Sequence, residues 1–345
     1  MLKFNIPPIS LAESGRADPE ILKPETVRGF WHGSPLSPYQ LLSLRSFVDR
    51  GYRIELFTYD PEIVVPSWII RRDANEVWRT NHVLCYQTEL GRGSPSLHSN
   101  LFRYAMLHMF GGWWVDLDVI LLDSALPADE IFFAIENEPN LSVAILKFPR
   151  GHQLLLEAVE RCVAAGETEP VFGETGPLLF TELVNKYGLA KLAQPAATAY
   201  PILGSEVSAP LDPDQREALV NNGAKFIHLY NELWRRSGIP SNLAPPAGSF
   251  LEALFEKHRI DAGFASRMEF SNVKRWTAHL FLHEEFQNGL RAYRSALQEL
   301  GARNEALQAK LRAVERDRDA LRPRIFGRVK KCLRITSQRI RSWLD

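Results

Sequence analysis

The sequence predicts an α/β protein built on a mostly parallel sheet, with a separate helical extension at its C-terminal end. Three stretches carry that prediction. Residues 27–60 read as strand, helix and strand; residues 96–122 run from a helix through Gly111-Gly112 into an apolar run; residues 224–238 pass from strand into helix. A chain of 345 residues with 45% hydrophobic content can bury the core that such a sheet requires.

The elements follow in order. Residues 1–25 form a polar, Pro-containing leader without a long apolar segment, so a classical secretion signal is not expected. "VRGFWHG" (27–33) is a short strand stopped by Gly33. "YQLLSLRSFVDRG" (39–51) places Leu41, Leu44, Phe47 and Val48 on one helical stripe, with Gly51 as its stop. "RIELFTYD" (53–60) alternates apolar and polar residues and ends at Asp60-Pro61. Strand, helix and strand within so short a span make a βαβ unit, hence a parallel sheet covered by helices. "SLHSNLFRYAMLHMFGG" (96–112) is a helix, "WWVDLDVILL" a strand, and "LSVAILKF" (141–148) another. "HQLLLEAVERCVAA" (152–165) and "PLLFTELVNKYG" (177–188) are helical. Ligands of open α/β sheets bind beyond the carboxyl ends of the strands, so the Trp31–Gly33 turn, Tyr59-Asp60 and Asp116–Asp118 are expected to converge on one cleft.

Asp116 and Asp118 sit inside the apolar run, at the spacing that puts two carboxylates on one face of a strand. Two like charges held close repel, and burying them unpaired is costly. A divalent cation resolves both problems, and hard oxygen ligands point to Mg²⁺ or Mn²⁺ rather than zinc. Mg²⁺-like ions are commonly shared between protein carboxylates and substrate phosphates, so the acid pair predicts a metal–diphosphate site. Asn100 and Arg103 lie three residues apart on the preceding helix, on one face. An arginine beside a metal-bound diphosphate has a direct electrostatic role. Gly111-Gly112 would allow close backbone approach immediately ahead of the acids.

"HSNLFRYAMLHMFGGWWVDLDVILL" (98–122) resembles the signature of the DxD sugar-binding glycosyltransferases, roughly S-D-x-x-R-Y-x-x-L-x-x-x-G-G-x-Y-x-D-x-D. That group includes capsular-polysaccharide and lipooligosaccharide sugar transferases, fungal α-1,6-mannosyltransferases and, more distantly, glucosylating toxins. Ser99, Arg103, Tyr104, Leu107, Gly111, Gly112, Asp116 and Asp118 match. Residues 30–61, 174–189 and 228–238 are similar to further blocks of the bacterial branch, so the likeness covers about residues 26–285. The resemblance implies a GT-A fold, a nucleotide-sugar donor, Mn²⁺ or Mg²⁺, and transfer with retention.

It also implies roles. Asp118 would coordinate the metal; Asp116 would contact the donor or reach the metal through water; Arg103 would bind the donor sugar or diphosphate. Trp31, with Gly33 and Tyr59, would border the nucleotide, and Gly112 the donor. Where the family commonly has Asp, this chain has Asn100, which can still bond a sugar hydroxyl but brings no charge. His228, at a strand end and followed by Asn231 and Trp234, is the candidate late-chain contact to the metal or diphosphate, with Trp234 beside the donor. A buried structural histidine is the alternative there, and a core tryptophan the alternative for Trp31. His32, His82, His98 and His108 read as structural or exposed.

Beyond this domain (26–285) a helical stretch (286–322) carries a heptad, with Leu297, Asn304 and Leu311 at a, and Leu300, Leu307, Val314 and Leu321 at d. It reads either as a homodimeric coiled coil over 297–321 or as an amphipathic helix folded back on the body. The tail (323–345) mixes basic and apolar residues: from Leu321 onward eight Lys/Arg stand against one acid, Asp345. It is either an interfacial helix for an anionic membrane or a solvated tail. Lys+Arg and Asp+Glu balance at 41 each, so no nucleic-acid partner is expected. Cys85, Cys162 and Cys332 form no CxxC pair, which fits a reducing compartment. The expected enzyme is cytoplasmic, peripheral at the membrane's inner face, and acts on a polysaccharide or glycolipid acceptor. A nucleotidyltransferase or phosphohydrolase using the same acid pair is the alternative, as is an inactive transferase-fold scaffold.

Overall fold

The computed structural model describes residues 25–33, 35–87, 91–166, 170–260 and 263–344, so all but the last residue of the expected leader lies outside the described residues. The chain divides into two compact units, Met1–Ala278 and His279–Asp345.

The first unit holds the sheet. Its strands are β1 (Thr26–Phe30), β2 (Arg53–Thr58), β3 (Ile69–Asp73), β4 (Gly112–Val115), β5 (Val119–Leu121), β6 (Ile135–Asn137), β7 (Asn140–Leu141), β8 (Ile145–Phe148) and β9 (Phe226–His228). The helices are α1 (Pro38–Val48), α2 (Ser96–Phe110), α3 (Gln153–Gly166), α4 (Leu179–Lys186), α5 (Ala196–Ala199), α6 (Arg216–Val220), α7 (Asn231–Ser237) and α8 (Phe250–His258). A ninth helix, α9 (Phe270–Leu344), begins in this unit and forms the second.

The main sheet has the order β3-β2-β1-β4-β8, with β3, β2, β1 and β4 parallel and β8 antiparallel to β4. The expected α/β architecture, a mostly parallel sheet flanked by helices with a helical extension, is therefore present. Two cores cover its faces. Phe30, Phe57, Phe102, Leu107, Trp114 and Phe148 pack with residues of α3 and α4 on one side, while Val27, Phe47, Leu56, Trp113, Val115 and Ile145 pack on the other. Trp113 and Trp114, adjacent in β4, enter opposite cores because side chains alternate across a strand. Truncating either to Ala would cost about 3–5 kcal/mol by cavity formation.

Several expectations change. The apolar run 113–122 is two strands, not one. After Val115 the chain turns at Asp116–Asp118, where the Val119 N–H donates to the Asp116 carbonyl at 3.1 Å. It then leaves the main sheet so that β5 can pair antiparallel with β9. The acids therefore stand on a turn, and their proximity owes nothing to strand alternation. Residues 141–148 also break, into β7 and β8, because Ser142 turns the chain and its hydroxyl accepts the Ala144 N–H at 3.3 Å. The α1 stripe is rotated: Leu42, Ser43 and Ser46 are buried, whereas Leu41 and Val48 are half-buried. The serines tolerate burial because β5 satisfies them. Ser43 Oγ donates to the Val119 carbonyl at 2.5 Å, and Ser46 Oγ accepts the Leu121 N–H at 2.9 Å.

The second unit is the run of α9 from His279 onward, continuous through Pro323. Among the described residues no helix is long and apolar enough to cross a membrane.

A candidate metal centre at the carboxyl edge of the sheet

The parallel strands β1, β2 and β4 end on the same edge of the sheet, and the Asp116–Asp118 turn follows β4 directly. Pairing of β5 with β9 sets Val119 opposite His228, and the Leu229 N–H donates to the Asp118 carbonyl at 2.9 Å. That ladder carries the imidazole to the turn. Ligand atoms of Asp116, Asp118 and His228 all lie within 4.8 Å of one another, close enough to hold a metal ion together.

Each carboxylate is oriented by named donors. Asp116 Oδ1 accepts from Arg103 Nη2 at 2.7 Å and from Trp114 Nε1 at 2.8 Å. Asp118 Oδ2 accepts the backbone N–H of Asn231 at 2.7 Å and lies 3.2 Å from His228 Nε2. Two ligands bound to one ion at right angles, about 2.1 Å from it, are about 3 Å apart, so this spacing suits a shared cation as well as a hydrogen bond. The Asn231 N–H reaches Asp118 because Tyr230 turns the chain in the left-handed region, at φ 54°. Such a conformation costs a non-glycine residue on the order of 1–3 kcal/mol and is characteristically found at functional sites. The Tyr230 ring lies 4.2 Å from the imidazole, centroid to centroid.

The electrostatics are unbalanced. Burial pushes the Asp116 carboxyl above its ordinary range, Arg103 opposes this, and the neighbouring Asp118 charge adds to it, although 27% of the side chain stays exposed. For Asp118 burial acts upward too, but His228 and the Asn231 N–H outweigh it and the carboxyl is held low. Burial would depress His228, yet Asp118 raises it above its usual value. His228 Nδ1 and Arg103 Nε are buried without a hydrogen-bond partner among the described residues. Two carboxylates and an imidazole fit a divalent cation: the carboxylates supply hard oxygens, and the imidazole lone pair is freed once a metal replaces its proton; the incompletely bonded guanidinium fits an anion beside it.

Behind the carboxylates runs a buried chain of polar groups. Arg103, 2% exposed, donates through Nη1 to Asn100 Oδ1 at 2.5 Å, and Asn100 Nδ2 donates to Thr175 Oγ1 at 3.1 Å. Arg103 also stacks over the Trp114 ring at 5.0 Å. Thr175 belongs to a wide turn, Glu174–Leu178, with i→i+5 geometry, and such π-type turns are frequent at functional sites. Gly176 lets Asn100 pack closely there, since a Cβ would stand 3.0 Å from Asn100 Nδ2. Tyr104 donates to the Thr175 carbonyl at 3.3 Å and anchors the turn.

The remaining sequence candidates are placed as follows. Asn100 faces Arg103 and Thr175 rather than open solvent. Trp31 is half-buried and packs against the second core. Gly33 is exposed at φ 116°. The Tyr59 hydroxyl donates to the Trp78 carbonyl at 2.6 Å and sits 3.1 Å from His98 Nε2, which spends it inside the protein. Trp234 is 2% exposed, with its ring edge-on to Tyr39 at 5.0 Å. Gly112 corrects an expectation. It opens β4 at the end of the strand away from the acids, opposite Phe148, and a Cβ on Gly111 would meet the Arg150 backbone at 2.6 Å. Gly111 therefore lets the loop at Arg150 approach, with the length of β4 between the glycines and the acids. His98 is fully buried, and burial lowers its pKa to about 4. Sequence reasoning missed Trp114 and Thr175. An aromatic indole two residues before the first acid is a signal for the former; nothing local marks the latter.

No family model matches the chain, and no curated protein matches it. Among solved structures it is similar to the PaToxG glycosyltransferase, at 13% identity and a TM-score of 0.38, covering 70% of this chain and 87% of that one. It is also similar to the glycosyltransferase GlyE of Streptococcus pneumoniae TIGR4, at 11% identity and a TM-score of 0.38, covering 76% of this chain and 64% of that one.

Proposed function

We propose that the protein is a metal-dependent glycosyltransferase of the GT-A type, moving a sugar from a nucleotide-sugar donor to a glycan or glycolipid acceptor with retention of configuration. The observation that carries this reading is the meeting of Asp116, Asp118 and His228 at the carboxyl edge of a parallel sheet, both acids belonging to the motif that resembles the DxD transferases. Asp118, His228 and the free oxygen of Asp116 would hold the cation, and the imidazole favours Mn²⁺ over Mg²⁺. When bound, the cation supplies Lewis-acid charge to the departing diphosphate. Its two charges cancel those of the carboxylates, so Arg103 leaves the site net positive toward an anionic donor.

The chain's own residues do the positioning. Asn100 orients Arg103, Trp114 orients Asp116, and the Asn231 N–H holds Asp118. Trp31 and Gly33 border the base of the nucleotide, UDP being the first choice, and capsule or lipopolysaccharide synthesis is the setting in which such acceptors arise. The basic tail would keep the enzyme at the inner face of a membrane carrying lipid-linked acceptors.

The test is a screen of UDP- and GDP-sugars with Mn²⁺, read as donor hydrolysis. Release of free sugar with the nucleoside diphosphate is expected. Release of pyrophosphate or a nucleoside monophosphate would assign the acid pair to nucleotidyl or phosphohydrolase chemistry, and absence of Mn²⁺-dependent nucleotide binding would leave only the scaffold reading.

A further inference from the structure

Helix α9 presents an apolar row to solvent. The heptad read at Leu297, Asn304 and Leu311 (a) and at Leu300, Leu307, Val314 and Leu321 (d) extends upstream to Leu290 and Tyr293. Within the chain these side chains are uncovered: Leu300 is 60% exposed, Leu307 65%, Leu311 59% and Val314 64%. A row of this kind on a long helix is the seam of an association.

We propose that the row is covered by the same row of a second copy of this chain, in a parallel, in-register, two-stranded coiled coil over residues 290–321. In a parallel pair a faces a and d faces d, so leucines meet leucines and Asn304 meets the Asn304 of the other copy, where the two amides bond each other. An antiparallel pair would set Asn304 against an apolar d residue and strand its amide. The flanks agree with the parallel arrangement. Lys310 is at g and Glu315 at e of the next heptad, the two positions that face each other across a parallel dimer, and the contact forms twice by symmetry. Arg318 interrupts the seam at an a position near its end, where its stem can cover Val314 and Leu321 while its head pairs with Asp319 at 3.0 Å. Charge also disfavours an anionic membrane as the occupant of this stretch, because Glu299, Glu305, Glu315, Asp317 and Asp319 are interspersed among its bases.

Sedimentation equilibrium of the full chain at micromolar concentration should give twice the monomer mass. Leu300→Lys combined with Leu307→Lys should return it to one chain; both leucines are exposed in the single chain, so thermal unfolding of the first unit should not move. For orientation, Leu321→Cys in a chain carrying Cys332→Ser should form a disulfide-linked dimer under mild oxidation, reversed by dithiothreitol, because identical d residues meet only in a parallel pair. A monomeric parent chain, a dimer that survives both lysines, or no cross-link at 321 would overturn the proposal. So would a monomer that co-sediments with phosphatidylglycerol vesicles through this face, which makes a membrane the occupant.

Discussion

On β2, Glu55 is 4% exposed and held by three arginines: Arg28 at 2.8 Å, Arg53 at 3.1 Å and Arg72 at 3.1 Å. Beyond β4, Asp116 and Asp118 have one arginine and one histidine between them, and both of those cations keep a buried nitrogen without a partner among the described residues. The first cluster is complete with protein alone. Its surplus positive charge faces solvent through Arg53, and three donors fill the lone pairs of one carboxylate. In the second, one cation stands against each acid only while His228 is protonated; with the imidazole neutral, as a metal ligand must be, the two acids are one charge short, on an edge where ligands of parallel sheets bind. A buried charge cluster marks a site when its compensation is short, and a strut when its compensation is in excess.

Substitutions at the two clusters should therefore separate cleanly. Asp118→Ala is expected to give the largest effect, a loss of Mn²⁺-dependent donor turnover on the order of a thousandfold, about 4 kcal/mol in the barrier. Its thermal unfolding without metal should fall only modestly, because relief of the repulsion with Asp116 partly offsets the Asn231 N–H and His228 imidazole left without their acceptor. Full activity in this variant would remove the metal assignment.

Glu55→Ala should do the reverse. It leaves Arg28 without its carboxylate beneath the sheet edge, Arg72 keeping only Glu76, and should cost about 3 kcal/mol of stability, while Mn²⁺ affinity remains that of the parent. A weakened Mn²⁺ affinity with unchanged stability would abolish the distinction drawn between the clusters.

Added Mn²⁺ should stabilise the parent chain by about 2.7 kcal/mol at a hundred times its Kd, an upward shift in Tm that EDTA reverses and that Asp118→Ala lacks. An equal shift in both proteins would place the ion elsewhere.

The smallest effect is expected at Asn100. Asn100→Ala removes the acceptor that orients Arg103, and Mn²⁺ affinity measured by calorimetry should fall about tenfold. Asn100→Asp keeps that acceptor, and Thr175 can turn its hydroxyl to donate, so affinity should be near that of the parent while donor preference changes. Unchanged affinity in the alanine variant would limit the buried polar chain to a structural part.

Much of this arrangement was legible in the sequence. The helix over 96–110 followed from its periodicity, the βαβ unit from alternation between Gly and Pro stops, and the acid pair from two carboxylates in an apolar run. His228 was legible as a histidine at a strand end before an Asn. Glu55, a polar position of the alternating "RIELFT", is buried because three arginines, one local and two from neighbouring strands, meet there. Trp234 reads the same in sequence whether it stacks on a ligand or on Tyr39, and only packing distinguishes the two.

The sequence by itself determined what depends on near neighbours: helix and strand periods, the spacing of Asp116 and Asp118, the heptad of the tail, and the charge balance. Tertiary structure decided which distant groups meet. The turn that separates β4 from β5, the ladder that sets Val119 against His228, and the placement of Thr175 behind Asn100 all rest on hydrogen bonds between segments far apart in the chain. Such bonds leave no local period, because their energy depends on register between surfaces that exist only once both have folded. The candidate metal centre is therefore a property of the fold, assembled from residues whose types, though not whose meeting, could be read in advance.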